Sequence, residues 1–164
     1  MAYTVIRTDL MSGTKQPADL VSFRFYDGEG NPAEVENGTI VKLVGYEEGE
    51  REVMKAVAAT ASDDLNDCAV TAGVEVMYDE RKKNLDEYVN EAGKIVRGYI
   101  LRSRNVFSVT KEGFVGDVPA KDAKVGIGAN GKIDAAGTGL GTCVHVENAG
   151  RYTYYAIKID KTEG

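Results

Sequence analysis

The chain has no tryptophan, only three prolines, two cysteines and one histidine among its 164 residues. One histidine and two cysteines cannot assemble a Cys/His zinc set, and no CxxC spacing is present for zinc or redox chemistry. Cys68 and Cys143 lie far apart in sequence. They could form one disulfide if the fold joined them, though nothing points to an oxidising compartment. Nucleophilic catalysis needs a base beside the nucleophile, and the sole histidine, His145, sits between two valines in an expected strand. Its neighbours face one side of the sheet and it faces the other, so an exposed or cross-strand-paired imidazole is expected. No apolar run approaches the roughly 20 residues of a membrane helix. The first nine residues show no charged region followed by an apolar one, so no secretory leader is expected and synthesis is expected in a cytoplasm.

Positive charge is also in short supply: 20 basic residues against 26 acidic ones give a net charge of −6 and a pI near 4.9. That sign disfavours nucleic acid phosphates and anionic membrane surfaces, so neither is an expected partner. The dense basic runs, Arg81-Lys82-Lys83 and the pair Arg102 and Arg104, read as solvated faces or salt-bridge partners. A partner with a basic surface is the expected use of the net charge.

What the chain has in quantity is glycine, 19 residues, together with short runs of Val, Ile, Thr and Tyr. Many tight turns between β-formers predict a mainly β fold. Strands are expected over 19–26, 38–46, 51–59, 68–78, 94–101, 105–110, 123–127, 132–135, 143–147 and 151–159, with a weaker one over 3–7. Residues 38–46 and 51–59 form a hairpin across an acidic turn, and Ser62, Asp63 and Asp64 cap one short helical turn. The segment 79–93 fits two patterns. Leu85, Tyr88, Val89 and Ala92 have helical spacing, while 90–93 also suits a hairpin turn between 86–89 and 94–101; the hairpin fits slightly better. Strands at eight-to-twelve-residue intervals predict an antiparallel β-barrel or sandwich with glycine-rich turns and at most one or two short helices. One compact unit over 1–164 is expected, with a soft boundary that would divide a main β domain over 1–113 from a small C-terminal β unit over 114–164.

Several motifs suggest chemistry and resolve into turns. Gly126-Ile127-Gly128-Ala129-Asn130-Gly131 is a literal GxGxxG, but too few residues follow for the helix whose amides would hold a pyrophosphate. Asn130-Gly131 is the favoured type I′ pair, so a hairpin turn is expected and no cofactor is assigned. The stretch 137–142 lacks the Gly-Lys-Ser/Thr ending of a phosphate loop and reads as a flexible connector. Asp27, Glu29 and Asn31 alternate like the start of a calcium loop, but the twelfth position is Gly38 rather than glutamate. Asp63, Asp64 and Asp67 are better explained by a capped turn than by a metal ion. Asn37-Gly38-Thr39 matches a glycosylation acceptor and reads as a turn. Glu47, Glu48, Glu50, Asp79 and Glu80 sit in expected turns, and Ser108 and Thr110 have no motif around them. The expectation is a non-enzyme with no catalytic, cofactor-binding or metal-ligating residue. Nine tyrosines suit an interface, since the ring buries a face and still hydrogen-bonds.

Three stretches together resemble the capsid decoration (head auxiliary or cement) proteins of tailed phages. They are Val35-Glu36-Asn37-Gly38-Thr39-Ile40-Val41; Ala92-Gly93-Lys94-Ile95-Val96-Arg97-Gly98-Tyr99 with Asn105-Val106-Phe107-Ser108-Val109-Thr110; and the close from Val115-Gly116-Asp117 through 128–132 to 150–155. Together they span about two-thirds of the chain and consist of turns and strand texture rather than a signature. The Arg81-Lys82-Lys83 run and residues 86–90 have no counterpart in that pattern. The resemblance implies a virion protein on the capsid exterior that clamps neighbouring major capsid protein subunits and self-associates around symmetry axes. It also implies an N-terminal arm that adds a strand to a capsid edge, here Ala2, Tyr3, Thr4, Val5, Ile6, Arg7 and Thr8. Pairing of that arm within its own sheet is the equal alternative. Another virion part, such as a head fibre base, tail or baseplate component, shares the texture. So does a small carbohydrate- or ligand-binding β-barrel, in which the tyrosines would line a pocket.

Overall fold

In β3 (Ile40–Tyr46) the chain alternates between two different interiors, and this alternation organises the molecule. Ile40 points outward into one core, Val41 inward into another, and both are fully buried. The computed structural model describes residues 2–8, 11, 20–76, 81 and 84–160. The remaining strands are β1 (Ile6–Arg7), β2 (Leu20–Phe25), β4 (Val53–Ala58), β5 (Cys68–Thr71), β6 (Val96–Ile100), β7 (Val106–Val109), β8 (Lys124–Ile127), β9 (Ile133–Asp134), β10 (Gly141–Ala149) and β11 (Tyr152–Ile159). Only 3-10 turns of three residues supplement them among the described residues. The fold is all-β.

Strands β2-β4-β3-β5-β6 close into a five-stranded barrel through the β6–β2 ladder. β3 and β4 form the expected antiparallel hairpin, with a bulge between Leu43 and Gly45 that sharpens the curvature. β4 then lies beside β2 and, having reversed direction, pairs with it in parallel. Phe23, Val35, Val41, Ala56, Ala69 and Val96 fill the barrel. Gly98 makes room for Phe23: a Cβ there would lie 2.8 Å from the Phe23 ring.

The other strands form a curled six-stranded antiparallel sheet in the order β1-β7-β11-β10-β8-β9. Its concave face contributes Phe107, Val109, Val125, Ile133, Ile157 and Ile159 to a second core. The barrel completes that core with the outward residues of β3 and β5, Ile40, Cys68 and Val70, and with Ala59, Ala72 and Leu101. Cys68 and Val70 face the sheet while Ala69 faces the barrel interior, so one four-residue strand serves both cores. Each large aliphatic side chain buried in this way stabilises the fold by about 1.5–3 kcal/mol.

Several expectations differ from what is observed. Residues 84–93 form neither a helix nor the strand of a hairpin. A 3-10 turn covers Leu85–Glu87, and Asn90 bridges to Val35, which leaves only the 91–94 turn in its expected place. Residues 79, 80, 82 and 83 of that segment lie outside the described residues. The change from barrel strands to sheet strands falls at 101–105, because β7 pairs with β11 and β1 rather than with barrel strands. The 137–142 stretch is a packed connector, not a flexible one: Leu140 is fully buried and Thr138 lies directly against Gly126. The strand expected over 68–78 pairs as β5 only to Thr71. Cys68 and Cys143 are both free thiols, buried in the core between barrel and sheet.

Candidate functional site

At one mouth of the barrel the chain encloses a groove of about 800 Å³, lined by residues from six separate stretches. Phe25 and Ala58, at the ends of β2 and β4, and the neighbouring Val35, Val57 and Val89 supply an apolar floor. Val35 is pinned by reciprocal backbone bonds with Asn90, each 3.0 Å, so the floor is part of the scaffold. The opposite wall is the β8–β9 turn, Gly128 to Asn130 with Lys132. Asn130 and Gly131 both have positive φ, 56° and 72°, and Lys132 N donates to Ala129 O, as a type I′ turn requires. Gly131 packs so closely on the barrel that a Cβ would lie 2.2 Å from Ile40 O. The wall is therefore held against β3. Tyr3 closes a third side, its amide donating to Asp86 O at 2.7 Å.

The charged lining residues are Asp27, Glu34, Glu36 and Lys132. Lys132 is already engaged: its Nζ donates to Glu112 O at 2.8 Å and lies 3.5 Å from Glu36 Oε1. Glu36 Oε2 accepts from both the amide and the hydroxyl of Thr4, each at 2.8 Å. Asp27 accepts the amides of Glu29 and Asn31 at 2.9 Å; these bonds, Asn31 foremost, hold its carboxyl below the ordinary value. Tyr26 donates its hydroxyl to Glu47, which pushes the phenol up, and Lys55 Nζ lies 5.8 Å above its ring. Serine, cysteine and histidine are missing from this lining among the described residues. The lining thus combines an apolar floor with a mainly negative rim.

The arm residues are tied to the chain's own fold. Ile6 and Arg7 pair with Val109 and Ser108, while Val5 and Thr110 exchange two bonds of 3.0 Å. Val5 and Ile6 are 2% and 3% exposed. Arg7 reaches Glu147 at 3.1 Å and lies 5.2 Å over the Tyr154 ring. Tyr3 lines the groove, Thr4 is buried against Glu36, Thr8 is half-buried and Ala2 is exposed. β1 stands at the end of the strand order of its sheet among the described residues.

The other residues singled out from the sequence have structural surroundings. Asp64 caps the 3-10 turn Leu65–Asp67 through Asn66 N, and Asp63 binds Lys42 at 2.9 Å and Thr60. Asn37 is 1% exposed and joins three segments, so its acceptor-like motif is closed to a glycosylating enzyme in the folded chain. His145 is exposed and pairs with Ala156, just past a bulge at Cys143. The tyrosines divide. Tyr3 and Tyr26 line the groove, Tyr154 is buried, Tyr155 meets Phe114 edge-on at 5.3 Å, and Tyr46 is 64% exposed. Of the groove residues, only the arm's Tyr3 belonged to the expected site, since no local pattern marks side chains that converge from distant turns.

The described residues define an all-β protein, a closed five-stranded barrel docked on a curled six-stranded sheet with a groove at the barrel mouth. No protein-family model matches the chain, and neither the curated proteins nor the solved structures contain a significant match.

Proposed function

We propose that this protein is a non-enzymatic virion component that binds the outside of a phage capsid and stabilises contacts between major capsid protein subunits. The observation that carries the reading is the position of β1 at the end of its sheet. β1, anchored by buried Val5 and Ile6, ends its sheet among the described residues, where strand addition by a neighbouring protein would extend the sheet. Exposed Val44, Tyr46, Val74, Val76 and Ile95 add apolar surface for further contacts. Repetition around a lattice would make such small interfaces firm by multivalency. The test is quantification of the protein against the major capsid protein in purified virions by mass spectrometry. Near-equal copy number is expected. A few copies per particle would move the protein to a fibre, neck or tail position, and absence would refute the virion role.

The groove favours a second reading, a ligand-binding β-barrel. Saturable binding of a glycan or small molecule by the isolated protein, with no capsid present, would select it.

A further inference from the structure

We infer that the barrel-mouth groove receives an extended cationic segment of a partner polypeptide, with an aliphatic side chain on its floor and arginine or lysine heads at its rim. The inference rests on the proposed attachment for the partner's identity, but not for the chemistry of the site. Three carboxylates, Asp27, Glu34 and Glu36, line the groove with one ammonium, Lys132; Glu36 is engaged by Thr4 and Lys132, which leaves Asp27 and Glu34 to face a ligand. That ammonium is bound by Glu36 and by the Glu112 carbonyl, so the rim offers an incoming anion little and an incoming cation much. Asp27 uses Oδ1 for its own turn, and its depressed pKa keeps it charged at neutral pH.

The floor points the same way. Phe25, Val35, Val57, Ala58 and Val89 are aliphatic apart from one ring, a surface for methyl groups and for the methylene stems of lysine and arginine. Tyr26 has one face approached by Lys55 and its hydroxyl bound to Glu47, an arrangement that already holds one cation over its ring. The volume lies within the roughly 300–1,000 Å³ of ordinary binding pockets and leaves room for a few side chains. The floor and one wall are fixed beforehand, the floor by the Val35–Asn90 bridge and the wall by Gly131 against Ile40, so little ordering is needed on binding.

The probe is an acetylated, amidated hexapeptide alternating leucine and arginine, titrated into isotope-labelled full-length protein and followed by amide chemical shifts. Shifts at Val57, Ala58, Asn130 and Lys132 are expected, with binding weakened by salt. The exposed Glu34→Lys variant, whose spectrum shows whether it is folded, should weaken binding about fivefold or more. The same peptide with glutamate in place of arginine should leave the groove unshifted. Equal binding of the acidic peptide, shifts confined to another surface, or groove shifts from a neutral hexasaccharide but not from the arginine peptide would each overturn the inference. Virion copy number is read independently. High copy number with an unresponsive groove leaves capsid attachment standing on another surface. A responsive groove in a protein absent from virions leaves the cationic ligand and removes the capsid.

Discussion

Asn37 shows how one side chain can hold distant segments together. Its Oδ1 accepts from Gly73 N at 2.8 Å and from Asn90 Nδ2 at 2.9 Å, and its Nδ2 donates to Gly73 O at 3.0 Å. Asn90 extends the network to Val35 O and receives the Tyr88 hydroxyl. Truncation to alanine would leave buried partners unsatisfied at about 1–3 kcal/mol per group. Asn37→Ala is therefore expected to lower stability by about 2–4 kcal/mol in urea denaturation, whereas Asn31→Ala, in an exposed turn, should cost under about 1 kcal/mol. The turn at Asn37-Gly38 was legible because the dipeptide is itself a turn signal. The role of the amide was not, because its partners stand 36 and 53 residues away.

Strands were the most legible elements. Near period-two alternation marks β2, and Val, Ile and Tyr crowd β3 and β11, whereas the weak alternation over 3–7 understates β1. Only two residues of β1 pair in the ladder, yet Ile6 belongs to the core between barrel and sheet. Ile6→Ala should cost about 2–4 kcal/mol, the usual loss for a buried large-to-small change. Arg7→Ala should cost under about 1 kcal/mol, because its ion pair with Glu147 is partly solvated. Thermal unfolding of the two variants would check the contrast. Equal small losses would mean that the arm is not anchored by its apolar side chains. The segment 84–93 differs for a related reason: helical spacing and a turn signal coexist there, the turn forms at 91–94, and the pairing of Asn90 with Val35 overrides the helix and the hairpin strand.

At the scale of the whole molecule, one core joins barrel and sheet, and both thiols report on it. Burial, with Asp63 and Asp67 nearby, pushes the Cys68 thiol up to about 11, and burial raises Cys143 as well. Neither should react with a thiol reagent at neutral pH until the molecule opens, and both should then react at one rate. A cysteine that reacts alone would reveal separate opening of barrel or sheet. Acid stability follows from Asp63 and Asp160. Lys42 foremost holds Asp63 below its ordinary 3.8, and the Thr142 hydroxyl, followed by Lys124, does the same for Asp160. A carboxyl depressed in the folded state contributes stability above its unfolded value and loses it as pH falls through the lower folded value. Melting temperature should therefore drop on acidification below about pH 4. Asp63→Asn should shrink that drop, and an unchanged acid limb would place the linkage elsewhere.

The sequence by itself determined the all-β class, the approximate position of most strands, and the Asn130-Gly131 and Asp64 turns. Alternation, turn dipeptides and caps act over a few residues and carry their physics with them. Tertiary structure alone decided which strands close the barrel, the parallel β2–β4 pair, the docking of the sheet on β3 and β5, and the groove between them. A fully buried Ile40 beside a fully buried Val41 has no polar face to announce two cores. Ladder partners and groove walls are chosen by burial and hydrogen bonding between segments that no local pattern connects.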